Sequence, residues 1–188
     1  ALPAAATFLN VGPVGYPFTT LSAAVTAASA GDTILLHGGP AGYAYTDQVT
    51  TINKALTITG VDDGNGYPIF TQTPGTELPR YKGFLIVQAD LTVSNVTFQN
   101  AAISEANGGN AAGIRHEGGN LTVLNSRFIN NQDGILSTPA VDGVTRLYVD
   151  NSVFTGNGSG TGQTHAIYAN RLAELKVTNS VFTGTNIG

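Results

Sequence analysis

The sequence predicts an all-β fold, a parallel β-helix in which short strands wind into stacked coils. A motif repeated four times and a strict alternation inside each copy carry that reading. LTVSNVTF begins at Leu91, LTVLNSRF at Leu121, LYVDNSVF at Leu147 and LKVTNSVF at Leu175, so the copies start 30, 26 and 28 residues apart. A self-similar unit of this length is the signature of a solenoid. Leu-x-Val puts two side chains on one face of a strand, because the side-chain period of a strand is two residues. The chain then turns at Asn, and a second short strand points its Phe inward. No helical period intervenes between units, and two strands with a bend make part of one coil.

The four bend residues, Asn95, Asn125, Asn151 and Asn179, stand in register. Coils stack at about the strand-pairing distance of 4.8 Å, and an amide side chain both donates and accepts. The expectation is an asparagine ladder inside the bend, each residue bonded to the next. Asn also tolerates the left-handed backbone that a sharp bend needs. Phe98, Phe128, Phe154 and Phe182 recur at the same offset and are expected to stack in the core.

Ahead of the repeats the period changes. Leu21, Ala24, Val25 and Ala28 form a helical face between Thr20, a good N-cap, and Gly31, a helix stop. A helix of about three turns over 20–30 is expected to cover the first coil as an N-terminal capping α-helix, since a bare coil exposes apolar core and unpaired backbone. Asp32–Leu36 reads as the first strand; Val49–Ile52 and Ala55–Thr59 open an early coil, with Gly60 where later coils carry Asn. The whole chain, 1–188, reads as one domain, with about 1–36 as cap and first strand and 37–188 as coils.

Composition narrows the function classes. The chain is 41% apolar, enough for a real core, but has no run of 18 apolar residues, hence no helical membrane span. Charged residues are 11% and the net charge is −4, which argues against nucleic acid as a partner. An acidic polysaccharide would need a local basic patch. With no Cys there is no disulfide, thiol chemistry or Cys-ligated zinc. No cofactor is implied and no metal site is assigned. Asp62, Asp63 and Asn65 in VDDGNGYP resemble a calcium loop but lack the bidentate Glu, so a Gly/Asp/Asn turn is the better reading.

The stretch FTTLSAAVTAASAGDTILLHGGPAGYAYTDQVTTINKALTITG is similar to the opening of pectate-lyase-like right-handed parallel β-helix proteins: a helix with Ala-Ala-Val, Gly-Asp-Thr-Ile, a Gly-Tyr turn, then Asn-Lys-x-Leu-Thr-Ile-x-Gly. With the repeats, the resemblance covers nearly the whole chain. It implies a right-handed coil in which the Leu-x-Val strands form a second sheet and the Phe strands a third. The first sheet is then Phe84–Val87, Gly113–His116, Gly134–Ser137 and Ala166–Ala169. Leu to Phe is always 7 residues, whereas Phe to the next inward Ile is 16, 7 and 13, so the insertions gather beside the first sheet. Inserted loops on one face of a solenoid mark its binding face, and enzymes of this superfamily keep their clefts there.

With Ile114, Ile135 and Ile167 inward, Arg115, Leu136 and Tyr168 point outward on successive coils. Arg115 and Tyr168 suit a sugar carboxylate and a sugar ring, and Arg171 in the next turn adds positive charge. Asp133 and His165 each precede their Ile by two residues, a candidate general base with its orienting acid. The candidate catalytic set is Asp133, His165 and Arg115, and the candidate binding set Arg115, Tyr168 and Arg171; a solvated Arg, a half-buried Tyr and a polar loop pair are the bland alternatives. His116 reads as a satisfied core histidine.

NNQDGI (130–135) echoes the Asn-Thr-Asp-Gly element of polygalacturonases. Their paired Asp, Gly-His-Gly and Arg-x-Lys are missing, as are the calcium-binding Asp cluster and Arg-x-Pro-x-x-Arg of pectate lyases and the Gln-Asp-Thr-Leu of pectin methylesterases. Fold alone does not carry function. The expected role is a secreted or cell-surface bacterial β-helix, extracellular or periplasmic, that binds or processes acidic polysaccharide, as a lyase or hydrolase if it is an enzyme. The alternatives are a non-catalytic adhesion or structural module and a shortened piece of a longer solenoid. Ice binding is disfavoured because Thr92, Thr122, Tyr148 and Lys176 make no flat threonine array. Six residues follow Phe182 and no amphipathic segment covers the last coil, so truncation or self-association through that coil is expected.

Overall fold

The computed structural model describes residues 6–158 and 164–184. Three parallel sheets wind into a β-solenoid of about six coils. The first sheet holds Thr50–Ile52, Gly83–Val87, Ala112–His116, Asp133–Ser137 and Ile167–Ala169. The second holds Phe8–Val11, Thr33–His37, Leu56–Val61, Leu91–Ser94, Leu121–Leu124, Arg146–Asp150 and Glu174–Thr178. The third runs through Tyr45–Thr46, Ile69–Thr71, Thr97–Gln99, Arg127–Ile129, Val153–Thr155 and Val181–Thr183.

Leu91, Leu121, Leu147 and Leu175 pair in one row, and Phe98, Phe128, Phe154 and Phe182 in another. The phenyl rings stack face to face at centroid separations of 5.3, 4.7 and 4.7 Å. The column runs two coils further than the repeat motif, through Phe70 (5.5 Å from Phe98) and Tyr45 (5.2 Å from Phe70). Phe70 is hidden in the sequence by the loop inserted at 62–68 and Tyr45 by the one at 38–44, each of which breaks the seven-residue offset.

The bend asparagines correct the expected ladder. Asn95, Asn125, Asn151 and Asn179 all take the left-handed conformation, with φ of 59°, 49°, 47° and 50°, but that geometry turns their side chains away from the core. Asn151 donates to Asn125 at 2.7 Å, while Asn179 bonds Asp150 instead. The next residue takes the buried place. The backbone N–H groups of Val96, Ser126 and Ser152 donate to the hydroxyls of Ser126, Ser152 and Ser180 at 3.4, 3.2 and 3.1 Å, a serine ladder. The buried asparagine ladder lies one bend later, at Asn131 and Asn157.

The helix is shorter than expected, Leu21–Ala27, with Thr20 Oγ1 accepting the Ala23 N–H. It ends before Gly31 because Asp32 accepts the Ser29 and Thr7 N–H groups and holds the following residues extended. Its buried face is Leu21, Ala24 and Val25. The first strand is Phe8–Val11, not the segment after the helix.

Candidate functional site

Arg115 and Tyr168 stand in one row on the outer face of the first sheet. Arg115 pairs with Leu136, and Leu136 with Tyr168, so the three stand on successive coils. The row continues backward from Arg115 through Ile86 to Thr51. Ile86 and Leu136 share this row yet are only 3% exposed.

Asp133 is wholly buried. Its neighbour Gly134 explains how it comes to lie against the next coil: a Cβ there would sit 2.4 Å from the Ala166 carbonyl oxygen and 3.0 Å from the Phe154 ring. Without a side chain at 134, the coil carrying His165 closes down, and the His165 N–H donates to Asp133 Oδ1 at 2.7 Å. The His165 ring, 46% exposed, places Nδ1 3.8 Å from the same oxygen. Asp133 Oδ2 has no hydrogen-bond partner among the described residues, and neither has Arg115 Nε. Burial pushes the Asp133 carboxyl up to about 7, against the opposing pull of the His165 N–H and the Arg115 charge. Tyr168 lies against His165, ring centroids 5.5 Å apart.

Glu117 is the residue the sequence reading overlooked, although it sits two positions after Arg115 on the same strand parity. Its carboxylate meets the Lys82 ammonium, accepts from Gln88 at 3.1 Å and lies 3.7 Å from Arg115 Nε. Burial would raise its pKa, but Lys82, Gln88 and Arg115 together hold it below the ordinary range. Asp133 and Glu117 are thus two carboxyls driven in opposite directions across one arginine.

Arg171 does not join this group: its guanidinium is engaged by Asp142, and Nη2 donates to the Ala140 carbonyl at 3.0 Å. His116 is buried with both ring nitrogens occupied, by Ser137 Oγ at 2.8 Å and the Gly119 carbonyl at 2.7 Å, and burial lowers its pKa. In the 61–68 loop, Asp62 accepts the Gly64 and Gly66 N–H groups, and Asp63 pairs with His37. Those carboxylates are consumed by the turn itself. Among the described residues, no group of three or more His, Asp or Glu side chains could hold a metal ion, and no helix is long and apolar enough to cross a membrane.

The arrangement offers an anion anchor at Arg115, an exposed imidazole backed by a buried carboxyl, and an aromatic ring beside it. No protein-family model matches the sequence, and no curated protein matches it.

Proposed function

We propose that this is a secreted, pectate-lyase-like right-handed β-helix, its amino-terminal coil closed by the helix, that processes acidic polysaccharide in the first-sheet groove. The observation that supports it is the meeting of Asp133, His165 and Arg115 across adjacent coils, with Asp133 titrating near neutrality at about 7. Arg115 takes the sugar carboxylate, which lowers the cost of removing a proton beside it. The exposed His165 is the base, and buried Asp133 is the acid that orients it. Tyr168 supports the ring of the sugar. Since Asp133 is closed to solvent, it acts through His165, which favours proton abstraction and lyase-type cleavage over hydrolysis by two carboxyls in direct contact with the glycan.

The test is product release from polygalacturonate, alginate and related acidic glycans between pH 5 and 9. Unsaturated products that vanish in His165→Gln support the reading, and no release from any of them counts against catalysis. Binding without turnover is the second reading. It is favoured by the 3.8 Å gap between His165 Nδ1 and Asp133, longer than a hydrogen bond.

A further inference from the structure

We infer that Glu117 is a positioning residue, tethered by Lys82 and Gln88, that holds the Arg115 guanidinium off the buried Asp133 carboxyl and keeps its N–H groups for the ligand. The inference rests on the reading of Arg115 as the anchor for a sugar carboxylate.

The Arg115 side chain is only 22% exposed, yet its Nε has no hydrogen-bond partner among the described residues. Asp133 is wholly buried, and its Oδ2 is equally without one. The two groups attract each other, since the Arg115 charge favours the ionised form of Asp133. A guanidinium and a carboxyl in that relation pair directly unless something opposes it. Glu117 supplies the opposing pull. It follows the strand Ala112–His116 that carries Arg115, and its Oε1 lies 3.7 Å from Nε. That is close enough for an ion pair and too far for a hydrogen bond. Glu117 does not close the gap because its carboxylate is already held: Oε1 meets the Lys82 ammonium, and Oε2 accepts from Gln88 at 3.1 Å. Arg115 is drawn to one side without its donors being spent.

The charges agree. Lys82 and Arg115 stand on either side of one Glu117, which leaves the cluster a single positive charge in a chain of net charge −4. An acidic ligand requires such a local basic patch. Were Arg115 to close on an ionised Asp133, that pair would be neutral, and Lys82 and Glu117 would cancel each other. With Glu117 in place, a sugar carboxylate meets the open N–H groups of Arg115, and Asp133 stays the acid behind His165.

The experiment follows the Asp133 carboxyl by NMR titration in the wild-type chain, Glu117→Gln, Arg115→Ala, the double variant and Lys82→Met, with thermal unfolding of each to show that the fold is kept. Among the described residues, the charged or titratable groups facing Asp133 are Arg115 and His165. Glu117→Gln frees the guanidinium, so Asp133 should ionise about one pH unit lower, the size of shift produced by a cation brought up to a carboxyl. In the Arg115→Ala background the same substitution should move nothing, because Glu117 acts through the arginine. Lys82→Met lets Glu117 close on Arg115 and should not lower the titration. Calorimetry with polygalacturonate oligosaccharides at low salt gives a second readout. Glu117→Gln adds one positive charge, which alone would tighten binding, whereas loss of position should weaken it about tenfold. An unshifted Asp133 in Glu117→Gln, the same shift with and without Arg115, or a lowered titration in Lys82→Met overturns the positioning role. Binding that is unchanged or tighter in Glu117→Gln overturns it as well. A wild-type chain that binds none of the oligosaccharides removes the glycan reading instead, and the titrations then decide the role of Glu117 by themselves.

Discussion

Asn157 Oδ1 accepts two hydrogen bonds from Asn131, one from its backbone N–H at 3.1 Å and one from its amide at 3.0 Å, with both residues wholly buried. Each amide also donates to a carbonyl of the preceding phenylalanine column, Asn131 to Phe98 and Asn157 to Phe128. Asn131 in turn receives the Ala101 N–H at 2.9 Å. This pair fastens the turn that leads from the third sheet to the first, immediately before Asp133.

Truncating it strands backbone groups with no water to take them. Asn157→Ala leaves the Asn131 N–H and the Phe128 carbonyl unpaired and is expected to cost roughly 1–3 kcal/mol. Asn125→Ala, at an exposed bend, loses the bond from Asn151 and the left-handed tolerance of Asn, and should cost less. The ranking reverses the one the repeat motif suggests. Denaturant unfolding of the two variants decides it: an Asn125→Ala variant that is the less stable would place the main ladder back at the first bend.

The aromatic column makes a second ranking. Phe128 is wholly buried between Phe98 and Phe154, whereas Phe182 is 44% exposed. Phe128→Ala should lose roughly 3–5 kcal/mol, the range for a buried aromatic truncated in a packed core. Phe182→Ala should lose well under half of that, because much of its surface is already in water. Equal shifts in Tm would show that the last coil is as well packed as the centre.

What could be read from residues alone follows from which constraints repeat. Leu-x-Val and Phe recur because every coil needs the same inward face, so the second and third sheets were legible from Leu91 onward. Arg115, Leu136 and Tyr168 followed from alternation once Ile114, Ile135 and Ile167 were set inward. The expected ladder forms at Asn125 and Asn151 but not at Asn179, for a local reason: a left-handed Asn directs its side chain outward, so the inner slot passes to Ser126, Ser152 and the half-buried Ser180, which read as ordinary turn residues. Asn131 and Asn157 belong to the same column but are followed by loops of different length, which hides their register. Arg171 was misplaced because nothing in its neighbourhood announces Asp142, 29 residues away. Phe8–Val11 carries too little alternation to declare itself a strand.

For the groove, Arg115→Ala and Tyr168→Ala are expected to weaken binding of an acidic oligosaccharide by about tenfold each, as loss of one charge-assisted contact or one stacked ring implies. Arg115→Ala should also raise the pH at which Asp133 ionises, because the arginine charge opposes the effect of burial. Tyr168→Ala should leave that titration in place. Carboxyl chemical shifts followed by NMR alongside the binding measurement separate the two roles, and unchanged affinity in both variants would move the site off this face.

Asp133 also sets a pH dependence of stability. Its carboxyl is raised from 3.8 in the unfolded chain to about 7 in the fold. Between those values the native protein holds a proton that the unfolded chain has released. Its contribution is therefore complete below pH 4, falls as pH rises through 7, and is constant above. The full span is on the order of 4 kcal/mol, from about three pKa units. Other carboxyls work in the opposite sense, among them Asp32, Asp63 and Asp150, whose hydrogen bonds lower their pKa values. The raw pH profile of the wild type mixes both. Asp133→Asn isolates the effect, since the amide oxygen still accepts the His165 N–H while no charge forms at Oδ2. The variant should be relatively more stable than wild type at pH 8, and the gap should close toward pH 5. Calorimetry at four pH values between 5 and 8.5 measures it. A difference in Tm that does not change with pH would mean that Asp133 ionises as freely in the fold as in the unfolded chain, and the buried acid behind His165 would have to be given up.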